Sequence, residues 1–141
     1  MVSLLFSFLA PVTGRIERAF VRNDAGTLYA ILSKATALNI SLPEPIGFSD
    51  QVSHEQAFFL MDRWFSRFKT FEFESEDRLS SLPGRKGCIL KSRWSFRDMK
   101  NNGQYVFLVF FYLVPEPLAA DRPPARERTA WKILEVKAER L

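Results

Sequence analysis

Residues 53–73 read SHEQAFFLMDRWFSRFKTFEF. Ser53 followed three residues later by Gln56 forms a capping box. The serine side chain accepts from the Gln56 N–H, and the glutamine side chain reaches back to the Ser53 N–H. Val52, just before the cap, is placed as the staple residue. At 100° per residue, Ala57, Phe58, Leu60, Met61, Trp64, Phe65 and Phe68 fall on one broad face. Glu55, Asp62, Arg63, Ser66 and Arg67 fall elsewhere. Phe59 points toward the polar side, as an isolated exposed aromatic or a partner contact. No breaker follows this helix. Over 69–77, Phe71 and Phe73 alternate with Thr70, Glu72 and Glu74, the pattern of a half-buried strand.

Upstream, residues 13–22 fit a helix with Thr13 as N-cap, Ile16, Ala19 and Phe20 on one face, and Arg15, Arg18 and Arg22 on the other. Asn23-Asp24 breaks it and caps a second helix over 25–33, which groups Leu28, Tyr29 and Leu32. Residues 37–42 read as a strand ended by Pro43 and Pro45, and 46–50 as a short extended piece. Residues 1–10, MVSLLFSFLA, are too short an apolar run to span a membrane. They have the length of a signal-peptide apolar core but lack preceding Lys/Arg and a small-x-small cleavage site. Two readings stand for 1–12: a remnant of an export signal, or an apolar arm set off by Pro11. Residues 13–141 form one domain, and both a cytoplasmic and an exported location remain open.

Downstream, 78–86 is a loop. Residues 87–98 are a strand with Cys88, Leu90, Ser92, Trp94 and Phe96 on one face and Ile89, Lys91, Arg93, Ser95 and Arg97 on the other. Asn101-Asn102-Gly103 supplies a hairpin turn within 99–103. Residues 104–115, QYVFLVFFYLVP, are apolar on both faces. Such a strand is central and covered twice, once by the 53–68 helix and once by a second layer, a cavity or another subunit. Residues 116–128 are a Pro-containing loop. Residues 129–141 are a last strand, with Leu134 and Val136 facing one way and Trp131 and Ile133 the other.

The chain has 141 residues, 47% of them hydrophobic and 26% charged, which suits one folded domain rather than disorder. Fourteen Phe need a core or a cavity to occupy. A net charge of +4 permits anionic partners without demanding nucleic acid, and none is expected. With one cysteine, Cys88, there is no intrachain disulfide and no multi-cysteine zinc site. With one histidine, His54, no His-rich metal site forms, so neither metal nor cofactor is expected.

Early helices followed by long, sequential strands predict an α+β domain: three helices of the N-terminal half packed on a strongly curved antiparallel sheet. Four features together resemble the nuclear-transport-factor-2-like (cystatin-like, cone-shaped) superfamily. They are the two short helices split by Asn23-Asp24, the long helix 53–68, the hairpin of 92–98 and 105–113, and the terminal Trp131-Lys132-Ile133 strand. The nearest likeness is to small bacterial domains of unknown function. The resemblance implies a cone with a cavity between the long helix and the concave sheet, and a homodimer through the sheet. The partners it implies are thus a small apolar ligand and a second copy. Cavity candidates are Tyr29, Phe58, Met61, Phe65, Trp94, Tyr105, Tyr112 and Trp131.

Isomerase- or dehydratase-like catalysis in such a cone needs a tuned carboxylate or His beside a hydrogen-bond donor. Asp50 or a Tyr would have to serve, but Asp50 precedes a helix N-terminus, where a loop carboxylate is usually structural. His54 sits in the first turn of the helix, a position usually exposed. No catalytic residue is therefore assigned, and the favoured reading is a non-enzymatic ligand- or partner-binding domain. Lys91, Arg93 and Arg97, with Arg85 and Lys86 nearby, form a basic stripe. It would be either an anion site or a solvated face opposed by Glu72, Glu74 and Glu76.

Overall fold

The computed structural model describes residues 2–76, 78–81, 86–117 and 129–141, with side chains for 11–76, 78–81, 86–116 and 130–141. Three helices are α1 (Val2–Val21), α2 (Ala25–Tyr29) and α3 (His54–Arg67). Seven strands are β1 (Leu38–Leu42), β2 (Phe48–Val52), β3 (Phe68–Ser75), β4 (Ser80–Ser81), β5 (Cys88–Asp98), β6 (Gln104–Pro117) and β7 (Thr129–Arg140). They form one sheet in the order β2-β1-β7-β6-β5-β3, with β4 also pairing β5. The α+β class holds. The sheet is mixed rather than purely antiparallel, because β1 pairs with β7 in parallel.

The capping box at the start of α3 is complete. The Gln56 N–H donates to Ser53 Oγ at 3.1 Å, and the Ser53 N–H donates to Gln56 Oε1 at 2.9 Å. Ala57, Met61, Trp64, Phe65 and the C-capping Phe68 are buried, Phe58 and Leu60 half-buried, and Phe59 is 69% exposed. Under α3, Phe20 of α1 stacks on Phe73 at 4.5 Å. It also meets Phe65, Trp94 and Phe111 edge-on at 5.1, 5.1 and 5.6 Å. Edge-to-face packing suits ring quadrupoles, so these rings fill space and attract one another.

The first two helices differ from the sequence reading. α1 begins well before residue 13 and contains Pro11, so Pro11 does not set off an arm, and Thr13 lies inside the helix rather than at its cap. An interior proline loses its own N–H bond and crowds the carbonyl four residues back, yet the helix continues through Pro11. α2 is only five residues long, although Asp24 caps it as expected, accepting from the Gly26 and Thr27 N–H groups. After Tyr29 the chain turns extended: Leu32 bridges Ile133, and Ser33 donates to the Ile133 carbonyl. Part of the 78–86 loop is the short strand β4, while Arg85 and most of the 116–128 loop lie outside the described residues.

Two β-bulges correct the predicted alternation. In β3 the pairing steps from Thr70 opposite Phe96 to Glu72 opposite Ser95, leaving Phe71 as the extra residue. Phe73 is buried, but Phe71 is 56% exposed. In β7 the register steps from Glu135 opposite Tyr112 to Ile133 opposite Leu113, so Leu134 is extra. Ile133 and Val136 are therefore both buried, instead of facing opposite ways. An inserted residue shifts side-chain parity by one, which reverses every assignment beyond it.

The first bulge is held by contacts distant in sequence. Asn23, left-handed at φ 51°, donates through Nδ2 to the Phe68 carbonyl at 2.8 Å, and its Oδ1 accepts from the Thr70 N–H at 3.2 Å. Trp94 Nε1 donates to Thr70 Oγ1 at 2.7 Å. Thr70 is thus pinned toward the core side, and Phe71 is driven out. At the same end of the sheet, Arg67 donates to both oxygens of Asp98 at 3.0 and 2.9 Å. Asp98 also accepts from the Lys100 N–H at 2.9 Å, which orders the β5–β6 turn.

Candidate functional site

The core side of the sheet is where a cone-shaped fold would hold a ligand. Met61, Phe65 and Trp94 are buried there, and Phe65 and Trp94 pack directly around Phe20. Tyr29, Phe58, Tyr105 and Trp131 are half-buried against the same core. Among the described residues these side chains serve as packing. Tyr105 stacks on Phe96 at 5.7 Å, with the Arg140 guanidinium 4.9 Å from its ring centroid. Tyr29 and Phe58 meet edge-on at 5.4 Å and, with Glu55 and Phe59, line an open groove of about 320 Å³.

Tyr112 does not join this group. Tyr105, Phe107, Val109, Phe111 and Leu113 share the core side, and Tyr112 has the opposite parity along β6. Its ring instead covers Gly87. A Cβ there would come within 2.6 Å of the Leu113 carbonyl oxygen and 2.7 Å of the Tyr112 ring, so this close approach requires glycine.

The buried polar residues do not form an acid–base pair. The buried polar residues described are Ser33, Ser92, Ser95 and Asp98. Asp98 is the one buried carboxylate among them. The Arg67 guanidinium beside it holds its carboxyl below the ordinary range, with the Lys100 N–H adding to the effect. That arrangement favours the carboxylate form, held in a turn by Arg67, over a base raised toward neutral pH. Ser33 Oγ donates to the Glu116 carboxylate, and Lys132 Nζ donates to the Ala30 carbonyl at 2.8 Å. Burial and the neighbouring Lys34 push the Lys132 amine down, partly offset by Glu116. These contacts lash the segment after α2 to β6 and β7.

Asp50 lies exposed on the edge strand β2, where it accepts from the Gln51 N–H at 2.7 Å. His54, in the first turn of α3, is half-buried beside Tyr29, with its ring 5.8 Å away and Nε2 3.7 Å from the Glu55 carboxylate. Cys88 is a buried free thiol pushed up to about 11 by burial. Among the described residues, no group of His, Cys, Asp or Glu is placed to hold a metal ion.

The opposite face of the sheet carries a signal that composition alone left ambiguous. Val106, Leu108, Phe110, Tyr112 and Val114 alternate down this face of β6, all half-buried and outside the hydrophobic core. The predicted second cover for β6 is missing among the described residues. Beside this stripe, β5 carries Lys91, Arg93 and Arg97, and β7 carries Glu135, Lys137 and Glu139. The basic stripe is partly neutralised as expected, with Arg93 opposite Glu74 and Lys91 Nζ 3.5 Å from Glu76. Arg97 stands opposite Lys69 instead.

No protein-family model matches the chain, and no curated protein sequence matches it. Solved structures do match. An NTF2-like protein of unknown function in nutrient uptake from Rhodospirillum rubrum aligns with a TM-score of 0.63 at 12% identity, covering 94% of this chain and 98% of that one. A ketosteroid isomerase-like protein from Erwinia carotovora atroseptica aligns at 0.66 and 10% identity, covering 96% and 95%. An NTF2-like protein of unknown function from Silicibacter pomeroyi aligns at 0.60 and 11% identity, covering 100% and 99%. Likeness at such low identity speaks to architecture, and it agrees over nearly the full length with the three helices on a curved, unclosed sheet: the chain has the nuclear-transport-factor-2-like fold.

Proposed function

We propose that this is a non-enzymatic binding domain whose principal partner is a second copy of itself, docked on the outer face of the sheet. The observation that carries this reading is the apolar stripe from Val106 to Val114. At about 3.4 Å per residue it runs about 27 Å, close to the breadth of a standard protein–protein patch. Five half-buried apolar residues in a row on the second face of a central strand, none of them part of the core, call for an explanation that a solitary one does not. Charged residues on β5 and β7 rim the stripe, and an apolar centre with a polar rim is the usual anatomy of an interface. A two-fold pairing would bring the same stripe from each copy together.

An isomerase-like reading is suggested by the name of the Erwinia carotovora atroseptica neighbour. It finds little support in this chain. Asp50 is on the exposed edge strand, and Asp98 is committed to Arg67. A small apolar ligand beneath α3 would have to displace rings that already pack on one another.

Sedimentation equilibrium tests the reading. The wild type is expected to dimerise at micromolar concentration. Phe110→Glu should sediment as a monomer with an unchanged circular-dichroism spectrum, because position 110 contributes nothing to the core. A wild type that stays monomeric at every concentration, or a Phe110→Glu variant that still dimerises, overturns it.

A further inference from the structure

Continuing the Glu74–Arg93 register of β3 and β5 without a bulge would set Lys69 opposite Asp98. With Phe71 inserted, Lys69 stands opposite Arg97. Like charges directly opposite each other on a sheet are unfavourable. Arg97 has no ion-pair partner among the described residues. The nearest acid along β3, Glu72, is engaged with Glu74, whose carboxyl it pushes up by hydrogen bonding and charge. Lys69 donates to the Phe65 carbonyl at 3.0 Å, which leaves two of its three N–H groups.

The same bulge exposes Phe71, and Met99 of the adjoining turn is 52% exposed. Lys69, Thr70, Phe71, Arg97, Met99 and Gln104 line a depression of about 400 Å³. That volume lies within the range of small-molecule sites. Among the described residues its lining combines two cations, two apolar side chains and no carboxylate. Its floor is rigid, because Thr70 is held from below by Asn23 and Trp94.

From this juxtaposition we infer that the depression binds an amphiphilic monocarboxylate. The carboxylate bridges the Lys69 ammonium and the Arg97 guanidinium, and an aryl or alkyl body lies on Phe71 and Met99. An anion relieves the repulsion between the two cations, and the Arg97 fork matches a carboxylate's two oxygens. Inorganic phosphate would satisfy the charges but leave Phe71 and Met99 in water. A neutral apolar molecule would do the reverse. The site lies at the β3 end of the same sheet face, where Gln104 adjoins Val106 along β6.

Three probes test this by calorimetry and amide chemical-shift mapping on the full chain: 4-phenylbutyrate, 4-phenylbutan-1-ol and inorganic phosphate. 4-Phenylbutyrate is expected to bind more tightly than either of the others and to shift the amides of Lys69, Phe71 and Arg97. Arg97→Gln should weaken it by about tenfold, the usual consequence of losing a charge-assisted hydrogen bond. Phe71→Ser should also weaken it, and Arg93→Gln, whose parent already faces Glu74, should leave it unchanged. All three positions are exposed, so folding is retained and is checked by circular dichroism. Equal binding of the alcohol or of phosphate overturns the inference. So does 4-phenylbutyrate binding that ignores Arg97→Gln, since that ligand would be lodged elsewhere.

Discussion

Asn23 links three elements through one side chain, and replacing it separates backbone from side-chain effects. Asn23→Ala removes the 2.8 Å bond to the Phe68 carbonyl and the 3.2 Å bond from the Thr70 N–H. Each is part-buried and is worth about 1 kcal/mol net. Alanine must also hold φ 51°, a left-handed conformation that costs a β-carbon about 1 kcal/mol. The sum is about 3 kcal/mol. Asn23→Gly loses the same bonds but not the backbone preference, so it should cost about 2 kcal/mol. Urea unfolding followed by the fluorescence of Trp64, Trp94 and Trp131 reads both. At a slope of about 2 kcal/mol per molar, the alanine midpoint falls by about 1.5 M and the glycine midpoint by about 1 M. Equal losses would show that the left-handed backbone contributes nothing. A loss below about 1 kcal/mol in either variant would refute the claim that Asn23 anchors the bulge.

Phe73→Ala should cost about 3–5 kcal/mol in the same assay and Phe71→Ala less than about 0.5, since only Phe73 lies in the core; similar values would contradict the bulge. The folded-state pKa of Asp98 lies below its unfolded value, so its pairing with Arg67 supports the fold above the ordinary carboxylate range and is lost as pH falls through the lower folded value. The stability gap between wild type and Arg67→Gln should therefore narrow on acidification from neutral pH, and a gap that widens in thermal melts would reverse the assignment. Cys88, buried and pushed up to about 11, should resist alkylation at pH 8 in the folded protein and react on unfolding in urea; rapid labelling of the native chain would contradict its place in the core.

The sequence by itself determined the elements whose signals are local. The capping box at Ser53 and Gln56, the apolar face from Ala57 to Phe68, the Asp24 cap and the alternation of Cys88 through Phe96 depend on neighbours a few residues away. All stand in the structure as read, and Phe59 remains the exposed aromatic of α3. Their order along the chain carried the α+β class and the cone-like architecture. The opposite parity of Tyr105 and Tyr112 was also legible, and counting along β6 would have removed Tyr112 from the cavity candidates.

Tertiary structure decided the rest, because the deciding partners are far apart in sequence. Phe71 sits in an alternating run, and only Asn23 and Trp94, gripping Thr70, force the extra residue outward. Leu134 is displaced by the register of β7 on β6, and β1 joins β7 in parallel, a pairing no local pattern encodes. The bulge at Phe71 sets Lys69 against Arg97, so the basic stripe that the sequence balanced with three glutamates keeps one cation without an ion pair among the described residues. The apolar run of β6 promised two covers. Folding supplies one from the helices, and the second face, whose apolar character was written in the sequence, stays half-buried with no second layer among the described residues.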